Sequence, residues 1–130
     1  MMRVAIVDDS TSARLFIRRC MEIVGFSEAL FIEAGNGREA LEIIRHAPVD
    51  LLITDLVMPV MDGQTLLKWM KSSPVLCDIP VLVISSAGNP AKEAELHELG
   101  AYGVLRKPVS PPALHSLLEA FLAQRKTADA

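Results

Sequence analysis

Six polar residues stand where apolar runs stop, and their types suit one chemistry. Val4-Ala5-Ile6-Val7 ends on Asp8-Asp9, Leu51-Leu52-Ile53-Thr54 ends on Asp55, and Val81-Leu82-Val83-Ile84 ends on Ser85-Ser86. A shorter run over residues 102–105 leads to Lys107-Pro108. Three carboxylates brought close together repel and raise one another's pKa. A divalent cation with oxygen ligands relieves that repulsion, and so does an ammonium. Mg2+ takes one or two carboxylates together with waters and phosphate oxygens, and Lys107 supplies a point charge. The set reads as a site for a phosphoryl group, with Asp55 as a nucleophile whose charge the cation and the lysine offset.

To meet, these residues need a scaffold that delivers several strand ends to one place. Strand-like runs at 3–7, 29–33, 50–54, 79–85 and 102–105 alternate with helical patterns. Leu15, Phe16, Cys20, Ile23 and Val24 mark an apolar stripe over 11–24, with Gly25 as its stop. Asn36 caps a helix over 37–47, and a third helix covers 63–72. Asn89-Pro90 opens a helix over 90–99, and Ser110-Pro111 opens the last, with Leu114, Leu117, Leu118, Phe121 and Leu122 on its broad face. Five βα units without a linker predict one α/β domain with a doubly wound, five-stranded parallel sheet. The first, third and fourth runs are apolar throughout, as strands covered on both faces must be. The second carries Glu28 and Glu33, and the fifth is short and contains Gly103. The order 2-1-3-4-5 places those two at the edges, and ligands of such sheets bind beyond the carboxyl ends, where the order reverses.

Composition narrows the function classes. The chain has 130 residues, 51% of them hydrophobic, and a formal net charge of −3. One domain of this size buries a full core. No apolar stretch reaches the roughly 18 residues of a membrane span, and the acidic balance argues against a nucleic-acid surface. Cys20 and Cys77 are far apart and read as reduced packing residues of a cytoplasmic protein. His46, His97 and His115 read as surface histidines, and Met58, Met61 and Met70 as packing. Trp69 beside Lys68 and Lys71 reads as a half-buried helix residue, with partner contact the lesser option. Asp62-Gly63 reads as a turn and N-cap without chemistry.

Asp8-Asp9, the stretch TDLVMPVMDG at 54–63, Ser85-Ser86 and Lys107-Pro108, at these separations, resemble the receiver domain of two-component response regulators of the chemotaxis-regulator type. The resemblance implies a flavodoxin-like (βα)5 domain over residues 1–124, followed by a C-terminal tail over 125–130. It implies that Asp55 accepts a phosphoryl group from a histidine kinase or phosphotransfer protein, so that the domain promotes only its own phosphorylation and dephosphorylation. It further implies that Asp8, Asp9, Asp55 and the backbone carbonyl of Val57 surround Mg2+, with Asp8 acting mainly through water. Lys107 would pair with the phosphoryl oxygens, Ser85 would turn to hydrogen-bond one of them, and Ser86 would leave room. A downstream protein would be met by contact at helix 4, strand 5 and helix 5, by a stand-alone receiver that is monomeric or dimerises on phosphorylation.

Two positions depart from that pattern. Relatives carry an aromatic residue three before the lysine, and here that place holds Val104. Tyr102, or the fourth helix with Ala91, Ala94, Leu96 and Leu99 as anchors, is expected to carry the switch instead. Val57 and Ala87, two beyond Asp55 and Ser85, are apolar and cannot hold an attacking water, so self-dephosphorylation is expected to be slow. An Asp-nucleophile phosphatase of the haloacid-dehalogenase type would need a second acid at 57. A flavin mononucleotide carrier would find its phosphate repelled by Asp8-Asp9. A scaffold receiver that takes no phosphate is disfavoured, because every reactive position is filled.

Overall fold

The computed structural model describes residues 1–86 and 89–129, with side chains to 124, so Ala87 lies outside the described residues. Five strands, β1 Arg3–Val7, β2 Leu30–Ala34, β3 Leu51–Asp55, β4 Val81–Ser85 and β5 Gly103–Arg106, form one sheet. Every pairing is parallel and the order is β2-β1-β3-β4-β5, as the burial pattern predicts. The helices are α1 Thr11–Met21, α2 Gly37–His46, α3 Gly63–Lys71, α4 Pro90–Glu98 and α5 Pro111–Asp129. The stretch read as a tail thus carries helix as far as Asp129.

Strand alternation divides the core into two layers. Ala5, Val7, Leu52, Val81 and Val83 pack with residues of α2, α3 and α4. Val4, Ile6, Leu51, Ile53, Leu82 and Ile84 pack with residues of α1 and α5. β3 and β4 are buried at every position, as central strands of a doubly covered sheet must be. Each fully buried Leu or Ile contributes about 1.5–3 kcal/mol by leaving water.

The helix starts are locally encoded. Ser10, Asn36, Asp62 and Asn89 each accept a hydrogen bond from a backbone N–H in the first turn of the helix they cap. Gly25 adopts φ +120°, the left-handed conformation its position as a helix stop requires. Gly25 lies within a π-helical turn, Glu22–Phe26, that follows α1.

Three expectations need correction. The stripe of α1 is rotated: Ile17, Cys20 and Met21 are buried, while Leu15, Phe16 and Ile23 are at least half exposed. α4 is anchored by Leu96 and, in part, Leu99, whereas Ala91 and Ala94 face solvent. Tyr102 precedes β5 rather than lying within it. Gly103 instead opens the strand, where a Cβ would stand 2.7 Å from a δ-methyl of Leu117 of α5, so a larger residue there would push that side chain aside.

Candidate functional site

Strand register carries the reactive groups to one edge of the sheet. Val7 pairs with Thr54 and Asp55 with Ile84, so the tips of β1, β3 and β4 end level. The Lys107 N–H donates to the Ser85 carbonyl at 2.9 Å, which extends β5 alongside β4 and fixes where the lysine leaves the sheet. The Lys107–Pro108 peptide is cis.

Asp8, Asp9 and Asp55 each offer a carboxylate oxygen, and the three oxygens lie within 4.8 Å of one another. Asp8 and Asp55 are buried and Asp9 is exposed. Lys107 Nζ reaches Asp55 Oδ2 at 3.2 Å. The other oxygen of Asp55 accepts the Leu56 N–H at 2.8 Å, which orients the carboxylate toward the lysine. Asp8 Oδ1 accepts the Ser10 N–H at 2.9 Å. Asp8 therefore braces the residue that caps α1, and is not itself the cap. Among the described residues its Oδ2 is buried without a hydrogen-bond partner.

A buried acceptor left unpaired is costly. Burial pushes the Asp8 carboxyl above its ordinary range, opposed by the Ser10 N–H. The charge of Asp55 adds to the rise, that of Lys107 counters it, and Asp9 adds a smaller upward push. An orphaned carboxylate oxygen within three converging acids is a donor set that a hard divalent cation satisfies, so these residues fit Mg2+.

Ser85 is buried at the tip of β4, and Ser86 follows it exposed. Val57 lies in the loop after β3 with its side chain 72% exposed. Val104 packs partly buried with the α2–α4 layer. Tyr102 stands at the other end of the sheet, its N–H bonded to the carbonyl of Val81, the first residue of β4. There it lines a cavity with Val49, Asp50 and Pro80. The acids, Ser85 and Lys107 thus share one edge, and Tyr102 belongs to the opposite one.

Three further residues shape the site. Arg14 donates to the Asp8 carbonyl and to Glu33 Oε1, tying β1, β2 and α1 together. Thr54, fully buried, donates from Oγ1 to the Asp55 carbonyl at 2.9 Å. Gly63 donates its N–H to the Leu56 carbonyl, and a Cβ there would fall 2.2 Å from the Asp55 carbonyl oxygen. The loop after Asp55 closes onto itself only because position 63 has no side chain. A glycine directly after an N-cap, where any residue serves, was the signal for that close approach.

Beside the acids lies an apolar cavity of about 360 Å3, lined by Phe16, Ile17, Ile84, Pro108 and Val109 and touching Asp8 and Lys107. Phe16 and Leu15 on α1 are each 51% exposed there and alongside.

A family model described as the response regulator receiver domain matches residues 4–119. The chemotaxis protein CheY1 of Helicobacter pylori is 33% identical over 122 residues, covering 93% of this chain and 97% of that protein. The solved structure of the chemotaxis protein CheY4 of Vibrio cholerae superposes with a TM-score of 0.80 at 32% identity, covering 92% of this chain and 98% of that one. Longer relatives also match. A probable cyclic di-GMP phosphodiesterase of Vibrio cholerae is 35% identical, and the sensor histidine kinase TmoS of Ectopseudomonas mendocina is 34% identical. This chain spans 28% of the first and 13% of the second. Among the described residues no helix is long and apolar enough to cross a membrane. On its family match, its sheet and its relatives, the chain belongs to the receiver domains of two-component response regulators.

Proposed function

We propose that Asp55 is the phosphoacceptor and that its partner in the transfer is a phosphohistidine on a histidine kinase or phosphotransfer protein. The observation that carries this reading is the 3.2 Å pair of Lys107 with Asp55, set beside the unpartnered Asp8 oxygen. A lone pair on a carboxylate oxygen of Asp55 attacks phosphorus. An O–P bond forms as the N–P bond of the donor breaks, and its electron pair returns to the imidazole. Such transfer needs positioning and charge neutralisation more than covalent assistance. Lys107 meets the phosphoryl charge, and the Leu56 N–H holds the acceptor carboxylate in place. Asp8, Asp9, Asp55 and the Val57 carbonyl would hold Mg2+, which when bound neutralises charge on the phosphoryl oxygens. The exposed Leu15 and Phe16, with the apolar cavity next to Lys107, give the donor domain a surface on which to seat.

The signal leaves through Ser85 and α4. Ser85 turns toward the phosphoryl group, Ser86 leaves space for it, and α4 shifts in response. α4 suits this role because one buried leucine anchors it and polar contacts hold its outer side. Val104 leaves the aromatic route closed, and Tyr102 is too far along the sheet to replace it. A downstream protein then reads the face of α4, β5 and α5.

Acetyl phosphate with Mg2+, followed by intact mass, tests the assignment. Wild type gains one phosphoryl group and Asp55→Ala gains none. Modification of Asp55→Ala to the wild-type extent would overturn it. Val57→Asn with Ala87→Glu is expected to shorten the phosphorylated half-life, by giving the attacking water polar partners.

A further inference from the structure

The outer faces of α2 and α3 carry chemistry that the acid site does not use. Trp69, the one tryptophan of the chain, is 52% exposed on α3. It separates two adjoining concavities of about 400 and 180 Å3, which share Leu41, Arg45 and Trp69 as walls. The larger one also takes in Arg38, Glu42, Val60 and Met61. Among the described residues, none of the ion pairs involves Arg38 or Arg45. A chain with net charge −3 therefore presents two uncommitted guanidinium groups around an exposed indole. Tryptophan and arginine are the side chains that dominate binding energy at protein interfaces.

An independent observation lies at the end of the groove. The Met61 N–H donates to the Pro59 carbonyl at 2.7 Å, closing a three-residue turn around Val60. Val60 has φ +68°, the strained hand of that turn and a poor conformation for a β-branched residue. Its side chain is 75% exposed, so packing does not repay the strain. Asn or Gly would hold the same turn at less cost. A residue that helps neither backbone nor core, yet adds apolar surface to a groove, breaks local rules as functional positions do.

We propose that this α2–α3 groove docks an acidic amphipathic helix of a partner protein. Its apolar side chains lie beside Trp69 and Val60, and its carboxylates meet Arg38 and Arg45. A channel between two helices fits a third, whose anchors recur at i, i+3, i+4 and i+7. Charge decides between occupants. A second copy would bring two more arginines against a single Glu42 on each side, whereas an acidic helix neutralises the excess.

Trp69 fluorescence reads the test. The full chain is titrated with a synthetic helical peptide of Leu at i, i+3, i+4 and i+7 and Glu elsewhere, and with the same peptide carrying Lys for Glu. The acidic peptide is expected to give a saturable blue shift that weakens with salt. Affinity should fall about tenfold or more in Arg38→Glu/Arg45→Glu, with acetyl phosphate labelling of Asp55 retained as the control for folding. Val60→Asn should raise the melting temperature and weaken the peptide. No saturable shift, an equal response to the Lys peptide, or unchanged affinity in the double variant would overturn the proposal. So would a blue shift on concentrating the chain alone, which would assign the groove to a second copy.

Discussion

α3 seats Leu66, Leu67 and Met70 fully beneath the sheet, whereas α4, its neighbour on the same face, seats Leu96 alone. The start of α3 is pinned as well, since Asp62 caps it and Gly63 locks onto the loop leaving Asp55. α4 is held instead by polar bridges at its surface. Lys92 and Glu95 both reach Gln64 of α3 at 2.8 Å, and Arg106 of β5 meets Glu93 at 2.9 Å. Solvent-exposed contacts of this kind contribute a few tenths of a kcal/mol each and are screened by salt. Both helices follow strand tips that carry site residues, but α3 is a fixed platform beside Asp55 and α4 is more loosely anchored. Segments with few buried anchors open at lower free energy than the global fold.

The largest effect expected is from Leu67→Ala, which should lower global stability by about 3 kcal/mol in urea unfolding. Leu96→Ala should mainly speed hydrogen exchange in α4. If the two variants unfold alike, the contrast between the helices is broken. Gly63→Ala forces the loop away from the Asp55 carbonyl, costs about 2 kcal/mol, and slows labelling by acetyl phosphate. Labelling at the wild-type rate would show that the pinned end of α3 does not set the position of the Asp55 carboxylate.

Mg2+ at ten times its dissociation constant should stabilise the chain by about 1.4 kcal/mol, seen as a higher melting temperature. Asp8→Asn should lose most of that gain. The sign for the metal-free chain follows from the raised Asp8 carboxyl. The folded state holds that proton more tightly than the unfolded one, so stability falls as pH rises from the ordinary carboxylate range through the raised value. Asp8→Asn removes that fall, and thermal melts in EDTA across mildly acidic pH measure it. The smallest effect is from Gln64→Ala, about 0.5 kcal/mol or less, with faster exchange confined to α4. High salt should mimic it in wild type.

The division of the sheet into central and edge strands was legible from burial, and the resemblance supplied their order. Runs apolar at every position had to be central, and the polar or short ones had to be edges. The converging acids and Lys107 followed from those strands, since each stood at or within two residues of the end of an apolar run. α1 was misread for a reason of the same kind. Leu15 and Phe16 fit an apolar stripe as well as Ile17 and Met21 do, and periodicity cannot tell a core face from a face kept apolar for contact. Ala91 and Ala94 misled similarly, because alanine is as much at home on a helix surface as inside. Arg14 and Gly63 were missed because their work is done through backbone atoms, a carbonyl in one case and a forbidden Cβ in the other. Tyr102 was placed one residue inside a strand that begins at Gly103, and a shift of one residue is enough to move a ring out of the ladder.

The parallel sheet has a consequence for how such a domain can change over time. The acids and Lys107 all leave from one rim, while the turns that feed the strands, among them residues 47–50 and the stretch ahead of Val81, sit on the far rim. Length and composition can drift on that far side without disturbing any reacting atom. The same chemical core can therefore be spliced between different neighbours, with its reactive rim carried intact from one setting to the next.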